Sequence, residues 1–482
     1  MHLRVFNGLK GSAVLIAVWG ATYYFLWFSV ISNPKELGEV QESVWFNTVS
    51  GTVYTVPTFF FCSGFLQTLS FLQRDEEESM FTPQRLGLYY ARKYLRYIPL
   101  NLACLLVTIG MMPAVGNGPV WNHFATLTDP CKTKWWANLL WLGNLVPASL
   151  DDKCLPWTWF LPCYVQLSLL LPPLIAIYKY MRGPVVGVIY GCIGGAALVG
   201  TFLMVLLVDR GATLAFHPEP NAAARADDFF SWVFMNPLYH FSSFFLGMLV
   251  CLAYVTFKEE RAEASAESNS LVSRALEMVC HNAGPRYALY LLGLGAQVGA
   301  VLWQTPFVAY PADQSAAHAA FYATLAYPFF CIGLSTMLLP ALAGKAAVFR
   351  YLWGSQTWTM LCAMGLGLYL LVPVVALFYY MSAQHQISVT YYMQIYYWTG
   401  HVLFATMFWF IIAIPLDRPI SALLNLKADV RDAEENEDYK LEDYLENFRE
   451  TELLADLDHD DASKSEAGGP NAKQVAPADG RD

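Results

Sequence analysis

Residues 154–174 read CLPWTWFLPCYVQLSLLLPPL, and this stretch contains no Asp, Glu, Lys, Arg or His. The hydrocarbon core of a bilayer is about 30 Å thick, and a helix of about 20 consecutive apolar residues crosses it. Tryptophan and tyrosine are enriched where such helices meet the membrane surface. The stretch therefore predicts a transmembrane helix, which we place over residues 157–178.

The same criterion, applied along the whole chain, predicts ten transmembrane spans. Their approximate ranges are 11–31, 53–72, 97–112, 157–178, 184–208, 235–257, 287–305, 319–342, 353–382 and 391–416. Within these ranges there is no Asp, Glu, Lys or Arg, and the only histidines are His240 and His401. The predicted fold class is an all-α polytopic membrane protein. No cleavable signal is expected before the first span.

The composition of the chain excludes several classes of protein. Of its 482 residues, 56% are hydrophobic and 14% are charged, whereas soluble domains are about 25% charged and about 45–50% apolar. These departures exclude a soluble multidomain enzyme, a disordered scaffold and a nucleic-acid binder. The 15 tryptophans fit a chain that crosses many membrane surfaces.

Basic residues are divided unequally between the two sides of a ten-span bundle. One side carries Arg4, Lys10, Arg74, Arg85, Arg92, Lys93, Arg96, Lys179, Arg182, Lys258, Arg261, Arg274, Arg286, Lys345 and Arg350. The other side carries Lys35, Lys132, Lys134, Lys153, Arg210 and Arg225. Because Lys and Arg are enriched in cytoplasmic loops, both termini are predicted on the cytosolic side, or on the matrix side of a mitochondrial inner membrane. An endomembrane or the plasma membrane fits the charge bias equally well.

Two cysteines, Cys131 and Cys154, share one polar connection on the predicted outer side. A disulfide between them would persist in an oxidising compartment; two free thiols are the alternative. The chain contains no CxxC, HxxxH or HExxH pattern, and so no metal site is expected.

The C-terminal part of the chain forms a separate acidic segment. Residues 428–482 hold 18 acidic and 6 basic residues, while the rest of the chain is almost neutral. Near 430–457, Leu441, Tyr444, Leu445 and Phe448 recur at helical spacing and predict an amphipathic helix. We therefore divide the chain into a membrane domain, 1–420, and a tail, 421–482. The tail either contacts a partner protein or remains solvated.

Several motifs follow one another in an order known from one family. They are FNGLKGSAVLIAVWGATYYF (6–25), NPKELGEV (33–40), YTVPTFFFCSGFL (54–66), YYARKYLRYIPL (89–100), GNGPVW (116–121), CKTKWWANLLWLGNLVP (131–147), CLPWTWFLPCYVQLSLLLPPL (154–174), NPLYHFSSFFLGMLV (236–250), LGLYLLVPVV (366–375) and LDRP (416–419). As an ordered set they resemble acyltransferase family 3, specifically its eukaryotic branch called nose-resistant-to-fluoxetine-like. The resemblance covers about residues 10–420 and implies that family's helical bundle. Family members transfer acyl groups from a cytosolic donor such as acyl-CoA to acceptors across the membrane.

The resemblance also implies which residues occupy the family's polar positions. Lys10 fills the basic position of the first span, and Lys93 and Arg96 retain a basic pair. The positions of the family's two catalytic histidines and two acidic residues are occupied by Ala21, Val372, Pro57 and Tyr164, and the family's sixth-span arginine is replaced by His240. The resemblance thus implies a site without its usual acid–base groups.

A hydroxyl acceptor needs a general base close to its proton, and His or a carboxylate normally supplies it. His240 and His401 are the candidates for a replacement base; histidines that simply hydrogen-bond within the bundle are the alternative. No cofactor is expected, and acyl-CoA would be used only if the protein is active.

The basic residues Lys10, Arg92, Lys93 and Arg96 form a candidate site for the phosphate of a lipid or of CoA. Clusters of this kind also anchor the ends of spans in lipid headgroups, and this remains the alternative.

The favoured interpretation is a catalytically inactive acyltransferase-3-like protein that serves as a structural or lipid-holding subunit of a larger membrane complex. The mitochondrial inner membrane is one candidate location. The alternatives are an active O-acyltransferase acting from acyl-CoA on a lipid or glycan, and a lipid or small-molecule transporter. Membrane lipids and other membrane-protein subunits are the expected partners, and no nucleic acid is expected.

Overall fold

The computed structural model describes residues 4–181, 183–207, 212–214, 227–262, 274, 282–310, 313–342 and 351–412. The described helices belong to one compact unit, His2–Ser421. The acidic tail, 421–482, and the helix predicted near 430–457 lie outside the described residues.

Within the described residues, ten helical segments are long and apolar enough to cross a membrane, and the ten predicted spans are thereby confirmed. They are α1 (Arg4–Leu26), α2 (Val44–Glu76), α3 (Pro83–Val115), α4 (Pro156–Tyr180), α5 (Pro184–Leu206), α6 (Pro237–Glu260), α7 (Ala283–Ala309), α8 (Ala316–Leu342), α9 (Gln356–Met381) and α10 (Tyr391–Ile412). Shorter helices in the connections are Pro34–Glu42, Asn122–Thr128, Cys131–Leu139 and the π-helical turn Phe229–Phe234. The described residues contain no β-strand beyond one isolated bridge, between Ile31 and Ile387.

Several helices extend beyond the spans predicted from apolar residues alone. Helix α1 begins at Arg4 instead of near residue 11, so that Lys10 lies within it. Helix α3 joins an amphipathic helix, Pro83–Leu95, to an apolar one, Ile98–Leu106. Charged residues that the apolar criterion excludes can still continue a helix, because lysine and arginine have high helix propensity. The helices therefore carry charged residues beyond the apolar ranges, such as Lys10 in α1 and Arg92 in α3.

Prolines mark the start of four of the membrane helices, α3, α4, α5 and α6. The first residues of a helix have no backbone partner for their N–H groups, so a proline costs no hydrogen bond there, and its fixed φ angle suits the helix. This placement explains why the connections before these helices end where they do.

The closest helix pairing in the bundle joins α2 to α6 through two glycines. A Cβ atom at Gly64 would collide with the carbonyl oxygen of Phe244, and a Cβ atom at Gly247 would collide with the carbonyl oxygen of Phe61. Lipid offers no hydrophobic driving force between helices, and small residues permit the close backbone approach that replaces it. The two glycines therefore fix the separation of α2 and α6.

The core consists of two main clusters of buried apolar residues. One contains Trp159, Phe229 and Phe234, and the other contains Val14 and Val18. Residues from both clusters line the same internal cavity. Packing of the two clusters thus determines the walls of that cavity.

We predict that Gly64→Ala and Gly247→Ala each destabilise the protein, since the added methyl meets backbone atoms that cannot rotate away. Overpacking of this kind costs about 1–3 kcal/mol. Gly191→Ala on α5 is the matched control, because nothing lies within 4 Å of its Cβ position. Thermal unfolding in mild detergent measures the difference. Equal unfolding temperatures for Gly64→Ala and Gly191→Ala would show that the α2–α6 contact is not tight.

Candidate functional site

A cavity of about 430 Å³ lies inside the helical bundle. Its volume is within the range of about 300–1,000 Å³ that is typical of small-molecule sites. Its wall comes mainly from α1, α2, α4 and α9, with two connecting segments, 212–214 and 229–234. Aromatic rings dominate it, among them Tyr24, Phe59, Trp157, Trp159, Phe160, Phe229, Phe230 and Phe234. The cavity is therefore suited to an apolar ligand.

Lys10 is the only charged side chain among the described residues that line the cavity. It is half-buried, and its charge acts on the buried thiol of Cys62. The described part of the chain offers it neither a carboxylate nor a hydrogen-bond acceptor. One end of an otherwise apolar cavity thus carries an uncompensated positive charge.

Three of the four family positions that lost their polar residue line this cavity. They are Ala21, Tyr164 and Val372. Tyr164 accepts a hydrogen bond from the hydroxyl of Tyr97 at 3.4 Å. Pro57 is not among the lining residues; it is buried in α2, where its carbonyl faces the thiol of Cys331. The structure therefore brings three of the four positions to one cavity, and none of the three holds a histidine or a carboxylate.

His240 is fully buried next to the cavity and does not line it. Its Nε2 donates to the carbonyl oxygen of Phe234 at 2.7 Å, and its ring stacks on Phe60 and Trp159 with centroids 4.6 and 5.2 Å apart. With Nε2 protonated, Nδ1 is the acceptor, and it has no hydrogen-bond partner in the described part of the chain.

His401 is also buried, and it too does not line the cavity. Its Nδ1 lies 3.0 Å from Oγ1 of Thr22. The Thr22 hydroxyl already donates to the carbonyl oxygen of Val18 at 2.8 Å, so Nδ1 of His401 is the donor in this contact. Thr22 neighbours Ala21 in sequence, but the histidine belongs to the packing of α1 against α10.

Tyrosine hydroxyls supply most of the polarity of the cavity wall, and several of them are hydrogen-bonded within the bundle. Tyr54, itself behind the wall, donates to the carbonyl oxygen of Ala300 at 2.7 Å and lies 3.0 Å from the hydroxyl of Tyr322. Tyr369 donates to the carbonyl oxygen of Trp157. These hydroxyls keep aromatic walls in place and contribute no base near neutral pH.

The other basic residues of the candidate phosphate site do not line the cavity; they are Arg92, Lys93 and Arg96 of α3. Lys93 is half-buried, with Nζ 5.6 Å from the ring centroid of Tyr89, while Arg96 is exposed, with Cζ 5.7 Å from the ring centroid of Tyr97. Arg92 is half-buried on the same helix. Tyr97, which directly follows Arg96 in the sequence, does line the cavity.

Cys131 and Cys154 form a disulfide, with their Cα atoms 4.4 Å apart. The bond joins the helix Cys131–Leu139 to Cys154, two residues before α4 begins. The first turn of α4 contributes Trp157 and Trp159 to the cavity wall. The disulfide therefore fixes the start of one cavity wall.

The loop closed by this disulfide is held by buried polar groups. The Asn138 side chain donates to the carbonyl oxygen of Cys154 at 2.8 Å, and that of Asn144 donates to Gln166 on α4 at 3.0 Å. Lys153 is 1% exposed; its Nζ donates to the carbonyl oxygens of Asn144, at 3.1 Å, and Pro147. Burial lowers the pKa of Lys153 to about 8.

No group of three or more His, Cys, Asp or Glu side chains with the arrangement of a metal site occurs within the described ranges.

The fold and the cavity together define an integral membrane protein that has, in the described part of the chain, ten helices able to span a membrane and an internal, mainly apolar chamber. The acyltransferase domain profile of acyltransferase family 3 matches residues 5–416. The chain belongs to this family.

A curated relative supports the branch that the motifs indicated. The chain is 22% identical to Nose resistant to fluoxetine protein 6 of Caenorhabditis elegans over 453 residues. The match covers 88% of this chain and 52% of the relative, so the chain spans about half the length of that protein. A comparison with solved structures finds no significant match.

Sequence reasoning missed two features of the site. The wall segments 212–214 and 229–234 carry no motif, and only the aromatic run at 229–234 indicates burial. Lys153 was counted among the basic residues of the outer-side connections, and its burial was not foreseen. Its position beside Cys154, which the disulfide draws into the core, was the available signal.

We predict that Lys153 makes stability depend on pH. Because its folded-state pKa is about 8 instead of 10.5, the unfolded chain binds one more proton between these two values. Stability should rise with pH in this window, by at most about 1.4 kcal/mol per pH unit. The measurement is the unfolding free energy of the wild type minus that of Lys153→Met across the window. A difference that stays flat with pH would mean that the lysine is solvated.

Proposed function

We propose that this protein is a catalytically inactive member of the acyltransferase 3 family that holds a lipid in its cavity and serves within a larger membrane assembly. One observation carries the proposal. The described residues that line the cavity include no His, Asp or Glu. The fold and the chamber are present, and the described part of the wall offers no imidazole or carboxylate to move a proton.

The described cavity wall lacks a general base for acyl transfer. Transfer of an acyl group to a hydroxyl requires a group that accepts the hydroxyl proton, within about 2.6–3.2 Å of it or through one water. His240 and His401 are both buried behind the wall, and each already uses a ring nitrogen in a hydrogen bond. Lys10 lines the cavity but lies eleven residues from Ala21, about 16 Å along the helix axis. No lining group is therefore placed to act at Ala21.

A lipid chain is the ligand that matches the cavity wall. Aromatic and aliphatic side chains from α1, α2, α4 and α9 surround the space, and burial of apolar surface contributes about 25 cal/mol per Å². Helices of this kind lie in a membrane, where lipid is the abundant apolar molecule. A structural or lipid-holding role follows more directly from these properties than a chemical one.

The basic residues supply the second part of the proposal. Lys10 on the wall, with Arg92, Lys93 and Arg96 beside it, would contact the phosphate of a lipid or of CoA. Arg96 and Lys93 pack against the rings of Tyr97 and Tyr89, which holds their side chains close to the bundle. Anchoring in lipid headgroups remains the alternative use of Arg92, Lys93 and Arg96.

The assembly role rests on sequence observations. The acidic segment 428–482 would contact a basic surface of another subunit, with both termini on the cytosolic or matrix side. The mitochondrial inner membrane is one candidate location for such a complex, and an endomembrane or the plasma membrane is the other.

The central test is turnover of acyl-CoA by the purified full-length protein. We predict no hydrolysis or transfer above the uncatalysed rate, and no gain from Ala21→His alone, because Pro57, Tyr164 and Val372 also lack the family's polar groups. His240→Ala and His401→Ala serve as matched variants. Turnover by the wild type that either variant abolishes would establish an active O-acyltransferase with relocated chemistry.

A second test concerns the acidic tail. Truncation after Lys427 should leave the described helices folded, because they all precede residue 413, and should release the protein from its native complex. Native gel electrophoresis of solubilised membranes measures both properties. Undiminished co-migration of the truncated protein with every partner would show that the tail makes no assembly contact.

A further inference from the structure

The cavity combines a long apolar wall with one positive charge at one end. Lys10 is the only charged residue among the described lining residues, and the described chain provides it with no counter-charge. A charge inside a membrane bundle is costly unless it is paired. The described parts of the chain leave Lys10 without a counter-charge, and a bound anion would supply one.

We infer that the ligand is a single-chain lipid anion whose acidic head pairs with Lys10 while its hydrocarbon chain occupies the aromatic chamber. The inference rests on the proposed function, because it requires that the cavity holds a lipid. It goes further in naming the chemistry of that lipid: a carboxylate, as in a free fatty acid, or a phosphate, as in a lysophosphatidate.

The position of Lys10 supports pairing with a ligand over simple solvation. A lysine at a helix end commonly extends its ammonium group to the membrane surface. Here, however, the residue is half-buried and lines the cavity together with Ser63 and Cys362. A lipid head that enters the chamber can therefore reach the Lys10 side chain.

The opposite part of the cavity supports a hydrocarbon chain. Trp157, Trp159, Phe230 and Phe234 line it without any charged group, and their ring faces offer dispersion contacts to methylene groups. A head that carried a positive charge would be repelled at Lys10, and a neutral head would leave the ammonium group unpaired. The arrangement thus favours anionic over neutral lipids of the same chain length.

The test uses two photoactivatable C16 probes that differ only in the head, a fatty acid and its alcohol. Each is titrated against the full-length protein in neutral-lipid nanodiscs, and labelled peptides are identified by mass spectrometry. We expect the acid to label the cavity residues with about tenfold higher affinity than the alcohol, which corresponds to about 1.4 kcal/mol. Lys10→Gln should abolish this preference and Lys10→Arg should retain it.

The controls separate the inference from the proposed function. Lys258→Gln removes an equal charge from an exposed site on α6 that does not line the cavity, and it should leave the preference unchanged. Ala21→Phe fills the chamber and should prevent labelling by both probes. Equal labelling by acid and alcohol in the wild type, or a preference that survives Lys10→Gln, would overturn the inference while leaving a lipid-holding cavity. Absence of cavity labelling by either probe would overturn the proposed function as well.

Competition distinguishes the possible sources of the anion. Unlabelled oleate and oleoyl lysophosphatidate should each displace the acid probe, and the stronger competitor identifies a carboxylate or a phosphate head. Inorganic phosphate should displace nothing, because it lacks the chain that the chamber binds. Displacement by inorganic phosphate as potent as that by lysophosphatidate would contradict the inference, since the site would then recognise a free anion.

Discussion

The cost of placing a charge in hydrocarbon determines most of this structure. It leaves the interior of ten helices almost free of ionisable groups, and it requires each buried polar atom to find a partner inside the protein. One ring nitrogen of each histidine obeys this rule, since His240 bonds to a carbonyl and His401 to a hydroxyl within the bundle, while Nδ1 of His240 has no partner in the described part of the chain. Lys153 obeys it by donating to carbonyl oxygens of its own loop. Lys10 is the exception on the cavity wall, and for that reason it carries the argument about the ligand.

The sequence predicted the fold well because the apolar criterion acts locally. Runs such as 154–174 are long enough to cross a membrane wherever they lie in the tertiary structure, so all ten spans could be located. Their ends could not, because a helix continues through charged residues once it leaves the hydrocarbon. Lys10 was consequently placed outside the first span, although the structure includes it in α1.

The candidate site was only partly predictable, since it depends on contacts between distant segments. The family resemblance located Ala21, Tyr164 and Val372, which the structure brings to one cavity. The alternatives for His240 and His401 could not be separated in the sequence, because a histidine behind a wall and a histidine on it have the same local pattern. Only the positions of Phe60, Trp159 and Thr22 decide between them. The burial of Lys153 depends on the pairing of the adjacent Cys154 with the distant Cys131 and on the carbonyl of Asn144, nine residues away.

Membership of the acyltransferase 3 family and the absence of His, Asp and Glu from the described cavity wall support our proposal that the chamber serves binding and not chemistry. The most direct measurement is an electron-microscopy density map of the full-length protein purified from its native membrane. The account predicts an elongated density inside the chamber, with one end at Lys10 and its length along Trp157 and Phe230. A chamber closed by side chains, or one that holds an acyl thioester next to a histidine or carboxylate, would contradict it.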